Sequence, residues 1–323
     1  MMEDRLKKLL PIGVLFLLVV TPATVAAESS DDFVSTASLF TIGTGARPLG
    51  MGNAFVGLAD DTNALLYNPA GLAFLEKPGL NSFYTNQFNA FNYGSLSAAL
   101  PKVGFTYLQL STGTLTERDL YGNSTGEFSH TTRGLLGAYG TKVGKNLAVA
   151  LQGKAYQMDS SMTARGYSIT PALLYKLEPF QFGAVFKNLL GSDITYTDDH
   201  AEPWQREVTL GVAYSTKRLE LDLDVDALLT ERGIDPGMAR IGAEGRVFRH
   251  ILLRGGITSK LQSSIGLGLD IQNWRLDYSY RIHNELPSSH RVSLTARFGE
   301  DSIPSLEELK GTFKDFLSKA IEG

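Results

Sequence analysis

Leu219-Glu220-Leu221-Asp222-Leu223-Asp224-Val225-Asp226-Ala227 alternates apolar and acidic residues without a slip. Successive side chains of a β-strand point to opposite faces, so Leu219, Leu221, Leu223, Val225 and Ala227 share one side while Glu220, Asp222, Asp224 and Asp226 share the other. A helix would scatter both sets around its circumference. Such a strand needs an apolar surrounding on one face and a polar, charge-matched one on the other. The neighbouring runs have the same division. Val208, Leu210, Val212 and Tyr214 form one apolar row, and Ile241, Ala243 and Val247 oppose Arg240, Glu244 and Arg246. Ile265, Leu267, Leu269 and Ile271 oppose Gly266, Gly268 and Asp270, and Trp274, Leu276, Tyr278 and Tyr280 oppose Arg275, Asp277, Ser279 and Arg281. Val292, Leu294, Ala296 and Phe298 then oppose Ser293, Thr295 and Arg297.

Extended over the chain, the pattern predicts fourteen strands, at about 80–88, 92–100, 103–111, 134–143, 146–157, 166–177, 180–190, 206–215, 219–229, 239–248, 250–258, 263–271, 274–283 and 290–298. The number is even, as in single-chain bacterial outer-membrane barrels. Connections after even-numbered strands are very short, at Pro101-Lys102, Gly144-Lys145, Glu178-Pro179, Thr216–Arg218, Arg249 and Gln272-Asn273. Those after odd-numbered strands include 112–133 and 191–205. Short periplasmic turns and long outside loops are the habit of such barrels. Tyr175, Tyr214, Trp274 and Phe298 then fall at the periplasmic ends as an aromatic girdle. A soluble β-sandwich or β-helix also alternates but has no reason for this loop rhythm. The expected fold is all-β, a transmembrane antiparallel barrel.

The N-terminus reads as a secretory signal peptide over 1–27, with Arg5, Lys7 and Lys8, the apolar run Leu9–Val20, and Val25-Ala26-Ala27 before Glu28. The apolar run contains Pro11 and Gly13 and is shorter than the ~20 residues of a spanning helix. With no cysteine, the chain has no disulfide, thiol nucleophile or lipid-modified cysteine. A net charge of −4 with no basic face argues against nucleic acid. The 33 glycines, 17 phenylalanines and 13 tyrosines suit tight turns and interfacial belts.

Residues 38–76 do not alternate. Gly45-Ala46-Arg47-Pro48-Leu49-Gly50-Met51-Gly52-Asn53-Ala54-Phe55-Val56-Gly57-Leu58-Ala59-Asp60-Asp61 is rich in small residues, and Thr62–Phe74 looks like an amphipathic helix that Pro69 must break or kink. That first run, with Tyr67-Asn68-Pro69-Ala70-Gly71-Leu72, resembles the N-terminal signature of PorV/PorQ-type proteins, relatives of the FadL-like outer-membrane transporters. Phe186-Lys187-Asn188-Leu189, Leu276–Tyr280, Glu285-Leu286 and His290–Leu294 resemble later segments of the same family. The resemblance spans most of 36–299 and implies a fourteen-stranded barrel whose N-terminal segment folds into the lumen as a hatch. Physics agrees, since fourteen strands enclose more space than inward side chains fill. Gly50, Gly52 and Gly57 would let the backbone approach the wall. A periplasmic cap or a flexible segment is the alternative.

After the last strand, Ile303, Leu306, Leu309, Phe313, Phe316, Leu317 and Ala320 recur helically, with Ser305 and Glu308 as a capping box. This periplasmic amphipathic helix would bind a partner, lie on the inner leaflet, plug the barrel or pack on its rim. The expected units are 1–27 signal peptide, 28–78 hatch, 79–299 barrel and 300–323 helix.

No catalytic constellation stands out. His130, His200, His250, His283 and His290 are scattered, and Gly43-Thr44-Gly45 lacks the lysine and preceding strand of a phosphate loop. Asp60-Asp61 and the Asp222/Asp224/Asp226 ladder could bind a cation, but the ladder more simply faces Arg240 and Arg246 across a strand pair, with Glu244 beside them. Without an activated nucleophile or acid–base pair the chain is read as no enzyme, and no cofactor is expected.

Two functions lead. A FadL-like transporter would lodge a small hydrophobic ligand among Phe55, Leu65, Leu66, Tyr67, Leu72 and Phe74, unless these merely form the hatch's own core. The remaining residues of the hatch motif are Arg47, Gly50, Gly52, Asp60, Asp61, Asn68 and Pro69. Alternatively, a PorV-like accessory of type IX secretion would present its loops and C-terminal helix to a periplasmic or secreted protein. A structural or adhesive barrel is the third reading. In every case outer-membrane lipid is the expected surrounding.

Overall fold

The computed structural model describes residues 39–87, 90–282 and 288–299. The signal peptide, residues 28–38, His283, Glu285, Leu286 and the C-terminal helix over 300–323 lie outside the described residues. The strands in chain order are β1 (Gly79–Gln87), β2 (Phe91–Leu100), β3 (Val103–Thr112), β4 (Leu115–Arg118), β5 (Ser124–Phe128), β6 (Thr131–Lys142), β7 (Leu147–Asp159), β8 (Thr163–Leu177), β9 (Phe180–Lys187) and β10 (Leu190–Gly191). They continue with β11 (Ile194–Tyr196), β12 (Ala201–Glu202), β13 (Arg206–Ser215), β14 (Leu219–Thr230), β15 (Gly233–Arg246), β16 (Ile251–Thr258), β17 (Ser263–Ile271), β18 (Trp274–Ile282) and β19 (Ser289–Arg297).

Fourteen of these make the wall, each antiparallel to its neighbours, and β1 pairs with β19 from Gly79↔Arg297 to Thr85↔Arg291, which closes the barrel. Closure leaves no open edge, the condition for strands to cross lipid. The outward rows are exposed and apolar, including Leu96, Phe105, Leu135, Leu151, Leu210, Leu223, Ile265, Leu267, Leu276 and Leu294. The inward rows are buried and mostly polar or small. Every expected wall strand is present.

Two expected outer loops are largely strand instead. β7 and β8 pair out to Asp159↔Thr163, and β14 and β15 out to Thr230↔Gly233. Residues 158–165 and 230–238 do not alternate apolar with polar, so no strand period shows there, yet backbone pairing continues. β15 admits Pro236, opposite Ala227, just beyond a register shift between Val225 and Ala227, where a missing N–H is tolerated. The two long loops hold the β4–β5 hairpin and the short strands β10–β12, pieces too small to show a period.

Before β1 come two short helices, α1 (Ala46–Gly50) and α2 (Ala64–Tyr67), and a 3-10 turn over Pro69–Phe74. The helical run breaks at Pro69 as its ring demands. Asn68 is extended there, and its side chain accepts the Ala70 N–H at 3.1 Å to cap the new turn.

Candidate functional site

The N-terminal segment packs against the inward face of the wall. Ala46 N–H donates to Ser293 Oγ on β19 at 3.1 Å, and Lys102 N–H, in the β2–β3 turn, donates to Leu72 O at 2.9 Å. Segment and wall backbones approach closely where one side or the other is glycine. A Cβ on Gly256 would lie 2.2 Å from the Met51 carbonyl carbon, and one on Gly57 would lie 2.7 Å from Ala213 N. Gly52 has φ +68, a conformation glycine adopts without strain. Gly50 in turn lies against Gly266.

Towards the short-turn end the contact is ionic. Arg47, 2% exposed, reaches Asp60 at 2.5 Å, Asp61 at 2.8 Å, Glu220 at 2.7 Å and Glu244 at 3.1 Å. Its guanidinium also lies 5.0 Å from the Phe55 ring centroid. Arg275 holds Asp61 and lies 3.2 Å from Asp277, and Arg254 holds Glu244 and lies 2.8 Å from Asp277. Burial alone would lower the Arg47 pKa, but Asp60, Glu244, Glu220 and Asp61 outweigh it and hold the pKa well above its usual value. Burial would likewise raise the Asp61 carboxyl, yet Arg47 and Arg275 bring it down to about 2. Asp60 and Asp61 therefore serve as guanidinium partners. No group of three or more metal-ligating side chains occurs among the described residues.

The acidic ladder of β14 divides its work. Asp226 pairs with Arg240, as expected from the strand pair. Asp224 instead accepts the N–H groups of Phe55 at 2.8 Å and Val56 at 3.0 Å, and Asp222 accepts that of Leu58 at 3.0 Å. Two ladder carboxylates thus satisfy the otherwise orphaned donors of an irregular backbone. Arg246 does not face the ladder. It ends β15 opposite Leu252 on β16, exposed at the short-turn rim, and reaches Asp270 at 3.4 Å and the Arg249 carbonyl at 3.1 Å. β14 begins only at Leu219, opposite Gly245, so no ladder residue lies across from Arg246.

Asn68 Nδ2 donates to Val56 O and to Leu173 O on β8, both at 3.0 Å, tying two stretches of the segment to the wall. The six apolar candidates do not converge on one cavity. Phe55 and Tyr67 pack with Met51, Leu58 and Ala213, while Leu65 and Leu72 pack with Ala99 and Ala138. Phe74 joins Val56, Ala70, Ala148 and Leu174 near the short-turn end, with Lys142 at 4.7 Å and Lys176 at 4.6 Å from its ring. Leu66 alone touches a further cluster in the outer half.

That cluster was missed by sequence reasoning. Phe83, Tyr93, Leu108, Leu110 and Leu136 point inward from β1, β2, β3 and β6 and meet Leu39 and Leu49, with Phe40 alongside. Phe40 also packs beside a second group, Tyr156, Ala164, Ile194 and Trp204. The available signal was an apolar residue on the face that alternation assigns to the lumen, such as Leu108 and Leu110 in phase with Thr106. Tyr67 borders this half. Its hydroxyl lies 2.9 Å from Asn53 Oδ1 and 3.2 Å from Thr44 O. Burial pushes its pKa up, although Arg281, Arg240 and Arg291 pull it back.

No family model matches this sequence and no curated protein matches it. Solved structures do match, and they define a class: a fourteen-stranded antiparallel barrel structurally related to FadL-type outer-membrane transporters. The toluene transporter TodX of P. putida is similar with a TM-score of 0.55 and 14% identity, over 80% of this chain and 99% of that one. The toluene transporter TbuX of Ralstonia pickettii is similar with a TM-score of 0.56 and 13% identity, over 80% and 99%. A Pseudomonas aeruginosa FadL homologue is similar with a TM-score of 0.51 and 12% identity, over 79% and 98%.

Proposed function

We propose that this chain is an exported barrel of a diderm outer membrane that binds a small hydrophobic compound from outside and conveys it inward, with residues 39–75 acting as the hatch. The observation that carries this reading is the apolar cluster of Phe83, Tyr93, Leu108, Leu110 and Leu136 on the inward face of the wall. A lumen is ordinarily polar, so apolar residues placed there suit an apolar guest. The fold likeness to toluene transporters adds to it. Leu66 joins the cluster from the hatch, and Phe55 and Tyr67 lie beneath it. Leu65, Leu72 and Phe74 serve hatch packing. In this reading residues 1–27 are the cleaved signal, 28–78 the N-terminal segment that contains the hatch, 79–299 the barrel and 300–323 a periplasmic helix.

Native mass spectrometry of the barrel extracted gently from its own membrane tests this. A retained hydrophobic molecule, lost in a folded Leu110→Asp variant, is the expected result. An empty barrel that also fails to pass a monoaromatic hydrocarbon in vesicles would sink the proposal. The second reading, a PorV-like secretion accessory, rests on the motif at 45–61 and 67–72 and on the β4–β5 hairpin, whose tip exposes Leu120 and Tyr121. A stoichiometric protein partner in the same spectrum would favour it.

A further inference from the structure

Beside the apolar cluster, three neighbouring wall strands bring together donors that no acceptor meets. Ser264 on β17 lies opposite Arg281 on β18, and Ser279 on β18 lies opposite Arg291 on β19. The two arginines are thus diagonal neighbours on one face. Ser264, Ser279 and Arg291 are 2%, 0% and 1% exposed, and Arg281 is half-buried. Ser264 Oγ, Ser279 Oγ, Arg281 Nε and Nη2, and Arg291 Nε and Nη1 are all buried and have no hydrogen-bond partner among the described residues.

Among the described residues no carboxylate lies within ion-pair distance of Arg281 or Arg291. Nearby acids are committed elsewhere, Asp277 to Arg254 and Arg275, and Asp226 to Arg240. A buried charge without a partner is strongly destabilising, and two of like sign side by side are more so. Water, which needs donors as well as acceptors, does not neutralise them. The complement of two guanidinium forks and two hydroxyls is a negatively charged group with several acceptor oxygens.

We propose that Arg281, Arg291, Ser264 and Ser279 form an oxyanion site in the outer half of the lumen, taking a sulfate, phosphate or carboxylate group. Arg291 is in register with Thr85 on β1, and the next inward residue along β1 is Phe83 of the apolar cluster. An oxyanion held here therefore arrives free or as the head of an amphiphile whose tail lies on Phe83 and Tyr93. The site does not depend on transport of a hydrocarbon.

Isothermal titration of the full chain in an uncharged detergent tests it, using sodium sulfate and sodium octyl sulfate at ionic strength fixed with chloride, and octyl glucoside as the uncharged control. Saturable binding of at least one anion is expected, weakened about tenfold or more in Arg291→Gln and in Arg281→Gln. Arg291→Lys, which keeps the charge and loses the fork, should fall between. Equal affinity for the two anions identifies a free oxyanion; much tighter octyl sulfate, with no response to octyl glucoside, identifies an amphiphile head. If Arg291→Gln does not fold, Arg281→Gln and Ser279→Ala decide in its place. No saturable binding of either anion, or binding that ignores both arginine substitutions, overturns the proposal.

Discussion

The two ends of the barrel interior are built on opposite principles. Towards the short turns, Arg47, Arg254 and Arg275 interlock with Asp60, Asp61, Glu220, Glu244 and Asp277, so every guanidinium has a carboxylate. Towards the long loops, apolar side chains face a lumen and Arg281 and Arg291 have no such partner among the described residues. The difference teaches where each half spends its polar groups. The lower half is self-complementary in charge and fastens residues 39–75 to the wall; the upper half meets that segment through apolar packing and leaves two arginines without a carboxylate among the described residues.

The largest effect should break the lower half. Arg47→Ala takes a guanidinium from four carboxylates, two of them on the wall, and strands Asp60 and Glu220, which have no other arginine among the described residues; breaking a buried ionic network from one side costs about 3–5 kcal/mol. The unfolding midpoint in urea should fall accordingly, and a protease should then cut within residues 39–75. An unchanged midpoint would mean that the network does not fasten the segment.

Next in size is a change in the upper half. Leu136→Ala removes a fully buried side chain and should cost about 2–5 kcal/mol with a smaller cavity at the low end. It should also release whatever hydrophobic molecule native mass spectrometry detects, whereas an Arg47 variant that still folds should lose stability more than ligand. If both variants lose ligand equally, the halves are not separate in function.

Acid sharpens the same contrast. The folded pKa of Asp61, about 2, lies below the ~3.9 of an unfolded aspartate. Its contribution is therefore complete above pH ~4 and lost as pH falls from there towards 2. Asp61→Asn should show a shallower loss of stability across that window, read from urea midpoints at each pH.

The smallest effects should come from single neutral bonds and surface pairs. Tyr93→Phe removes a hydroxyl that donates to Leu39 O at 3.2 Å and should cost about 1 kcal/mol. Arg133→Ala breaks an exposed pair with Asp159, and the midpoint should move by less than about 1 kcal/mol.

How far the chain could be read without its structure depends on the range of the forces involved. The wall strands are legible because inside and outside alternate with each residue, and Leu219–Ala227 declares both faces from its own composition. The loop parity separated long from short connections, but it could not show that β7–β8 and β14–β15 run on past the alternating stretches, where pairing continues without a side-chain period. Arg47, Asp60 and Asp61 were legible as a motif, whereas their wall partners Glu244, Glu220 and Arg275 were not, since those contacts span 173 to 214 positions of chain. Phe83, Tyr93 and Leu136 are ordinary strand residues until closure puts their faces in one lumen.

By itself, then, the sequence determined the strand count, the greasy outer surface and the presence of an irregular N-terminal segment, because each follows from local alternation or its absence. Only the tertiary structure decided that Asp222 and Asp224 receive backbone N–H groups of that segment, that Arg246 stands apart at the rim, and that Arg281 and Arg291 lie diagonally across two strands. Register fixes those pairings, and register is a property of two strands together, which no single stretch of chain contains.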